Sequence, residues 1–160
     1  MRIDRVVVNA SPLIILFKGG LEHLLPQLFV DVVIPGAVWD EVIIGEDTAA
    51  AQLPSTTWIR RIEIPTISPE ILAWNLGQGE SEVLSTAIIH AGYGAVLDDR
   101  AARQCAHTLG ISILGTGGVL VQAKRKGLIE SVSSALGVLS DAGLWLSDDL
   151  TRLLKQLAGE

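Results

Sequence analysis

Short runs of β-branched residues recur along the chain, each followed by a longer stretch with helical spacing, and this alternation constrains the fold more than any other feature. The runs are "RVVVN" (5–9), "VDVVIP" (30–35), "GAVLD" (94–98) and "ISIL" (111–114). Three valines in succession, Val6 to Val8, leave neither face of a strand polar, so the strand belongs inside a sheet covered on both sides. Helical crossovers between such strands make them parallel. "WIRRIEI" (58–64) alternates apolar and charged residues and reads as a short edge strand. The expected fold is a three-layer α/β/α sandwich around a central, mainly parallel sheet, as a single domain over 1–160.

Helix boundaries follow from caps and breakers. Ser11 and Pro12 start a helix that "KGG" (18–20) breaks, and 21–28 resumes it. Further helices are expected at 36–43, 79–91, 99–109, 116–126, 129–140 and 147–158, with Ser147 as an N-cap. Residues 45–57 read as a helix and a loop. Hydrophobic residues make up 49% of the chain but aromatics only 4%, so the core must be built from Val, Ile, Leu and Ala. No apolar stretch reaches the roughly 18 residues of a membrane span, and the first residues lack the pattern of a signal peptide. The lone Cys105 cannot form an internal disulfide and reads as a small core residue. The expected setting is the cytoplasm, without a membrane partner. A net charge of −6 argues against broad, charge-driven binding to nucleic acid. It leaves room for an enzyme that meets nucleic acid through metal ions and a few local cations.

In open parallel sheets, functional groups gather beyond the carboxyl ends of the strands. The first strand ends there in Asn9 and the strand 94–98 in Asp98 and Asp99, while 111–114 leads to Gly115 and Thr116. Paired carboxylates resist burial unless a cation or donor compensates them. One reading makes them a helix cap and a solvated neighbour, and the other places both at a site. Glu80 shares the apolar stripe of Val83, Leu84, Ala87, Ile88 and Ala91, where it either complements the helix dipole or reaches a metal. Glu82 falls on the more polar side, over Ser85 and Thr86. Glu41 and Asp40 both lean on apolar positions of helix 36–43, and helical geometry does not separate them. Carboxylates converging without His or Cys suit Mg²⁺ or Mn²⁺. The chemistry that matches is metal-assisted phosphodiester hydrolysis.

Taken in order, "NASPLI", "IPGAVWDEV", "LGQGESEVLSTA", "VLDDRAAR" and "GTGGVLVQAKRKGLI" resemble a PIN domain over about residues 5–155. The closest likeness is to VapC-like proteins whose first motif reads Asp-Thr-Ser-Pro-Leu-Ile. The resemblance implies a PIN-like α/β/α fold, Mg²⁺- or Mn²⁺-dependent cleavage of RNA, a cognate antitoxin and a homodimer. Carried over by position, it places the family's acidic ligands on Asn9, Glu41, Glu80 and Asp99, with Asp98 beside the last and Thr116 as the polar residue at the following strand end. Asn9 departs from the pattern, because a neutral amide stands where a carboxylate is usual. The chain is therefore expected to be either a metal-dependent endoribonuclease of reduced activity or a degenerate PIN domain that binds RNA or a partner without cutting.

Other residues carry two readings. Ser11, Arg100 and Arg103 are candidate RNA or supporting contacts, and Arg100, Arg103 and His107 equally form a solvated helix face. "KRK" (124–126) suits a helix C-terminus. "GTGG" (115–118) could present amides to a phosphate in a nucleotide-binding domain, but lacks the established spacings. His23 and His90 read as structural or exposed. Trp39, Trp58, Trp74 and Trp145 read as packing or dimer-interface residues.

Overall fold

In the computed structural model, residues 3–64 and 66–160 are described. Five strands form one parallel sheet: β1 (Arg5–Val8), β2 (Asp31–Pro35), β3 (Ile59–Ile62), β4 (Tyr93–Val96) and β5 (Ile113–Leu114). Their order is β3-β2-β1-β4-β5. β1 lies at the centre, and Val6, Val7 and Val8 are wholly buried, as a strand covered on both faces requires. β3 is an edge strand, and its exposed Arg60 and Arg61 account for the alternation in "WIRRIEI".

The helices between β1 and β3 are α1 (Ala10–Lys18), α2 (Leu24–Leu28), α3 (Gly36–Ile44) and α4 (Thr48–Gln52), the last running into a 3₁₀ turn at Leu53–Ser55. Then come α5 (Pro69–Leu72), α6 (Gln78–Ile89), α7 (Arg100–Thr108), α8 (Thr116–Arg125), α9 (Val132–Asp141) and α10 (Asp148–Leu157). The sequence reading does not anticipate α5, a single turn started by Pro69 after Ser68. Strand 94–98 begins one residue earlier and ends at Val96, so Asp98 lies beyond the ladder rather than in it. α6 also differs from expectation. Ile88 is exposed and Ala91 lies past the helix, whereas Ser81, Ser85 and Thr86 are buried. The helix packs against the sheet and α3 together, so its buried surface wraps around the first turns and the face read as polar is inside.

Ser147 caps α10 by accepting from Leu150 N at 3.1 Å, as its position predicts. A second cap comes from far along the chain. The Glu160 carboxylate accepts from the backbone N–H of Val132 and Ser133 at the start of α9, and from Lys124 on α8. These partners hold its pKa well below the usual 4.5. A depressed carboxylate stabilises the fold above its unfolded pKa and loses that contribution as the pH falls. Glu160→Gln is therefore expected to melt below the wild type at neutral pH. Melting curves recorded from pH 7 downwards should show the difference closing below about pH 4.5.

Candidate active site

The strand order reverses direction between β1 and β4, where connections leave β1 for one side of the sheet and later return to build the other. Such a switch point opens a crevice at the carboxyl ends of the two strands. Asn9 follows β1, and Asp98 and Asp99 follow β4 two residues beyond its end, so the topology brings these residues to the crevice rim. Asn9 N donates to Val96 O at 3.0 Å, extending the ladder by one bond and anchoring the residue.

Asn9 is 4% exposed, and its side chain does not cap α1. Its Nδ2 instead faces Glu80 Oε1 at 3.5 Å, a long hydrogen bond across 71 positions of sequence. Glu80 reaches that point from the first turn of α6 because Gly77 gives it room: a Cβ on Gly77 would stand 2.5 Å from Glu80 Oε2. Glu41 arrives from α3. A Cβ on buried Gly79 would lie 3.5 Å from Asn9 Oδ1 and 3.6 Å from Glu41 Oε1. The bare glycine thus leaves a cradle between an amide oxygen and a carboxylate oxygen, with a second carboxylate bonded to the same amide. Burial, and after it the charge of Glu80, holds the Glu41 pKa above the ordinary carboxylate value. The structure separates Asp40 from Glu41, which the helical pattern does not: Asp40 lies 4.0 Å from Arg61 on β3, whereas Glu41 Oε1 turns to Gly79.

Asp98 and Asp99 part company. Asp99 caps α7, accepting from Ala102 N through Oδ2 at 2.9 Å. Asp98 accepts from Thr116 N through Oδ1 at 2.8 Å and from Thr116 Oγ1 through Oδ2 at 2.5 Å, so both of its oxygens are engaged. Thr116 is wholly buried, and its amide, the second of "GTGG", is already satisfied by Asp98. Arg103 turns back from α7 to donate to Leu97 O at 3.0 Å, while Arg100 and Ser11 are exposed at the rim. Among the described residues, no three His, Cys, Asp or Glu side chains are close enough to form a metal-binding group.

Sequence reasoning misses Glu82. Its Oε1 accepts from Ala37 N, in the first turn of α3, at 3.1 Å, and its Oε2 accepts from Gln78 at 2.7 Å. Glu82 therefore ties the helix that carries Glu80 to the helix that carries Glu41. The pattern that hides it is its place beside Ser85 and Thr86, which looks solvated until α3 packs there. Glu82→Ala leaves a half-buried N–H without a partner, a loss of about 1–3 kcal/mol. Urea unfolding should show that loss for Glu82→Ala and recover most of it for Glu82→Gln, whose amide oxygen still accepts.

At the opposite end of the sheet, Tyr93 and Arg60 both donate to Asp31, Arg60 at 2.8 Å. Burial works to raise the Asp31 pKa, but the bonds from Arg60 and Tyr93 outweigh it and hold the group below the usual range. This network joins β2, β3 and β4 at their amino-terminal halves, away from the crevice. A family model described as a PIN domain matches residues 5–160. No curated protein and no solved structure matches the chain.

Proposed function

The chain belongs to the PIN-domain family, a nuclease-type fold, and from that premise we propose that it is a metal-dependent endoribonuclease of the VapC-like toxin–antitoxin type. The observation that carries the proposal is the cradle over Gly79, faced by Asn9 Oδ1 and Glu41 Oε1 and flanked by Glu80. PIN domains generally use divalent metals. The donor set here is all oxygen, two carboxylates and an amide, around a space that a single methyl would fill. That set suits one Mg²⁺ or Mn²⁺ that keeps several waters. Glu41 and Glu80 would hold the ion, with Asn9 Oδ1 assisting. When bound, the ion supplies Lewis-acid chemistry to phosphodiester hydrolysis.

The protein's own residues do the rest. Gly77 keeps space beside Glu80 and Gly79 beside Asn9 and Glu41, Glu82 ties α3 to α6, and Asp98 bonds Thr116 at the β5–α8 turn. Arg100, on the exposed first turn of α7, would meet the phosphates of RNA, and Arg103 and Ser11 would line its approach. What supports a protein partner, an antitoxin or a second copy, is the stripe of Leu150, Leu153 and Leu157 on α10, all at least 40% exposed at helical spacing. No helix among the described residues is long and apolar enough to cross a membrane.

A second reading is favoured by one contact. The Nδ2–H of Asn9 faces Glu80 and offsets part of the charge that a cation would otherwise offset, as expected of a PIN domain that binds RNA without cutting it. Incubating the purified protein with single-stranded RNA and Mn²⁺ separates the two. Cleavage that EDTA abolishes is the expected result. RNA that is bound yet stays intact would establish the second reading instead.

A further inference from the structure

The four tryptophans sort into two classes. Trp58 stacks on Phe17, with ring centroids 6.4 Å apart, and Trp39 lies under the Arg61 guanidinium. Both are accounted for within the fold. Trp74, also packed against the core, and the open Trp145 line two clefts, and Asp98 lies on the wall of each. In the first cleft, of about 600 Å³, Trp74 faces Arg100, Arg103 and His107 from α7. In the second, of about 340 Å³, Trp145 stands beside Lys18 and Ser11 from α1. Trp145 is 82% exposed, on the loop between α9 and α10. An indole left that open makes no contribution to the core, so its sequence position does not explain it as packing.

We propose that the two clefts, which share Asp98, form one track for single-stranded RNA along the rim of the crevice, with Trp145 as the platform on which a base stacks. The proposal rests on the nuclease reading for its direction, since the track passes the rim residue Asp98. Charge supports the occupant. The chain carries a net −6, yet both clefts present cations, Arg100 and Arg103 in the first and Lys18, from the last turn of α1, in the second. An extended strand offers what such a surface recognises: a phosphate every nucleotide for the cations and an unpaired base for each aromatic face. A duplex keeps its bases stacked inside and cannot use Trp145.

The test measures binding, not cleavage. Fluorescence anisotropy of a labelled oligoadenylate is recorded in EDTA with the full chain. Trp145→Ala should weaken binding roughly tenfold, the scale of one base–aromatic stack, while Trp145→Phe keeps most of it. Binding of an RNA duplex should be the same for all three proteins. Because the side chain is exposed, circular dichroism should show an unchanged fold. Equal binding by wild type and Trp145→Ala would overturn the track. So would a loss that light scattering traces to a dimer falling apart, which would assign the face to a second copy. Trp145-dependent binding of RNA that Mn²⁺ never causes to be cut would leave the track standing and defeat the nuclease reading. Cleavage indifferent to Trp145 would do the reverse.

Discussion

Asn9→Asp is expected to change the protein in opposite directions with and without metal. Without metal, the variant places a third carboxylate, on a residue 4% exposed, beside Glu41 and Glu80. It also replaces the Nδ2–H that faces Glu80 with a repelling oxygen. Like charges near 4 Å are worth up to about 4 kcal/mol at the dielectric of a protein surface, and water and protonation reduce that to about 1–3 kcal/mol here. The variant should therefore melt below the wild type in EDTA. With Mn²⁺ the same charge becomes attractive. Affinity should rise on the order of 10–100-fold, and a ligand that binds the folded state raises the melting temperature in step with its affinity. RNA cleavage should increase with it. Thermal melting in EDTA and across a Mn²⁺ titration, together with a cleavage assay, checks all three. A variant with the wild type's melting temperature under every condition would remove Asn9 from the acidic site.

Glu80→Gln tests the same centre from the other side. Glutamine keeps the length of the side chain and an oxygen to accept from Asn9 Nδ2, so the contact across the crevice survives. What it loses is one of the two charges not committed to a helix cap. The space at Gly77 still accommodates the side chain. Folding should change little, while Mn²⁺ affinity and cleavage should fall by at least the roughly 10–100-fold that residues supporting a metal carry. Removing the charge also relieves Glu41, whose raised pKa owes its second cause to Glu80. A titration of Glu41 by carbon-detected NMR should move down towards the ordinary value. Unaltered cleavage in Glu80→Gln would dismiss the proposed ligand set.

The architecture was legible because the strands state it twice. Val6 to Val8 admit no solvated face, and the glycines after the helices mark where each crossover ends. The site was legible only as far as topology carries it. That Asn9 and the Asp98–Asp99 pair stand at neighbouring strand ends follows from a parallel sheet. Which of the two aspartates is tied to Thr116 does not, since it depends on where β5 stops and α8 begins. Asp40 and Glu41 differ by one position on a helix whose neighbours are apolar on both sides, and the arrival of Arg61 from β3 distinguishes them. Glu82 illustrates the same limit. Periodicity describes one helix against water, and Glu82 is half-buried by a second helix whose Ala37 lies 45 positions earlier in the chain.

The central place of β1 has a consequence for when the crevice comes into being. β1 pairs with β2 on one side and with β4 on the other, so its ladder is half made until Tyr93–Val96 joins. Asn9 and Glu80 meet across 71 positions, and Asp98 then waits for Thr116, 18 positions further along the chain. Contacts this distant along the chain form slowly and late in folding. During synthesis the segment up to β3 can collapse with its helices, but the rim that Asn9 shares with β4 is absent. The centre on which the proposed activity depends is therefore incomplete until most of the polypeptide has emerged.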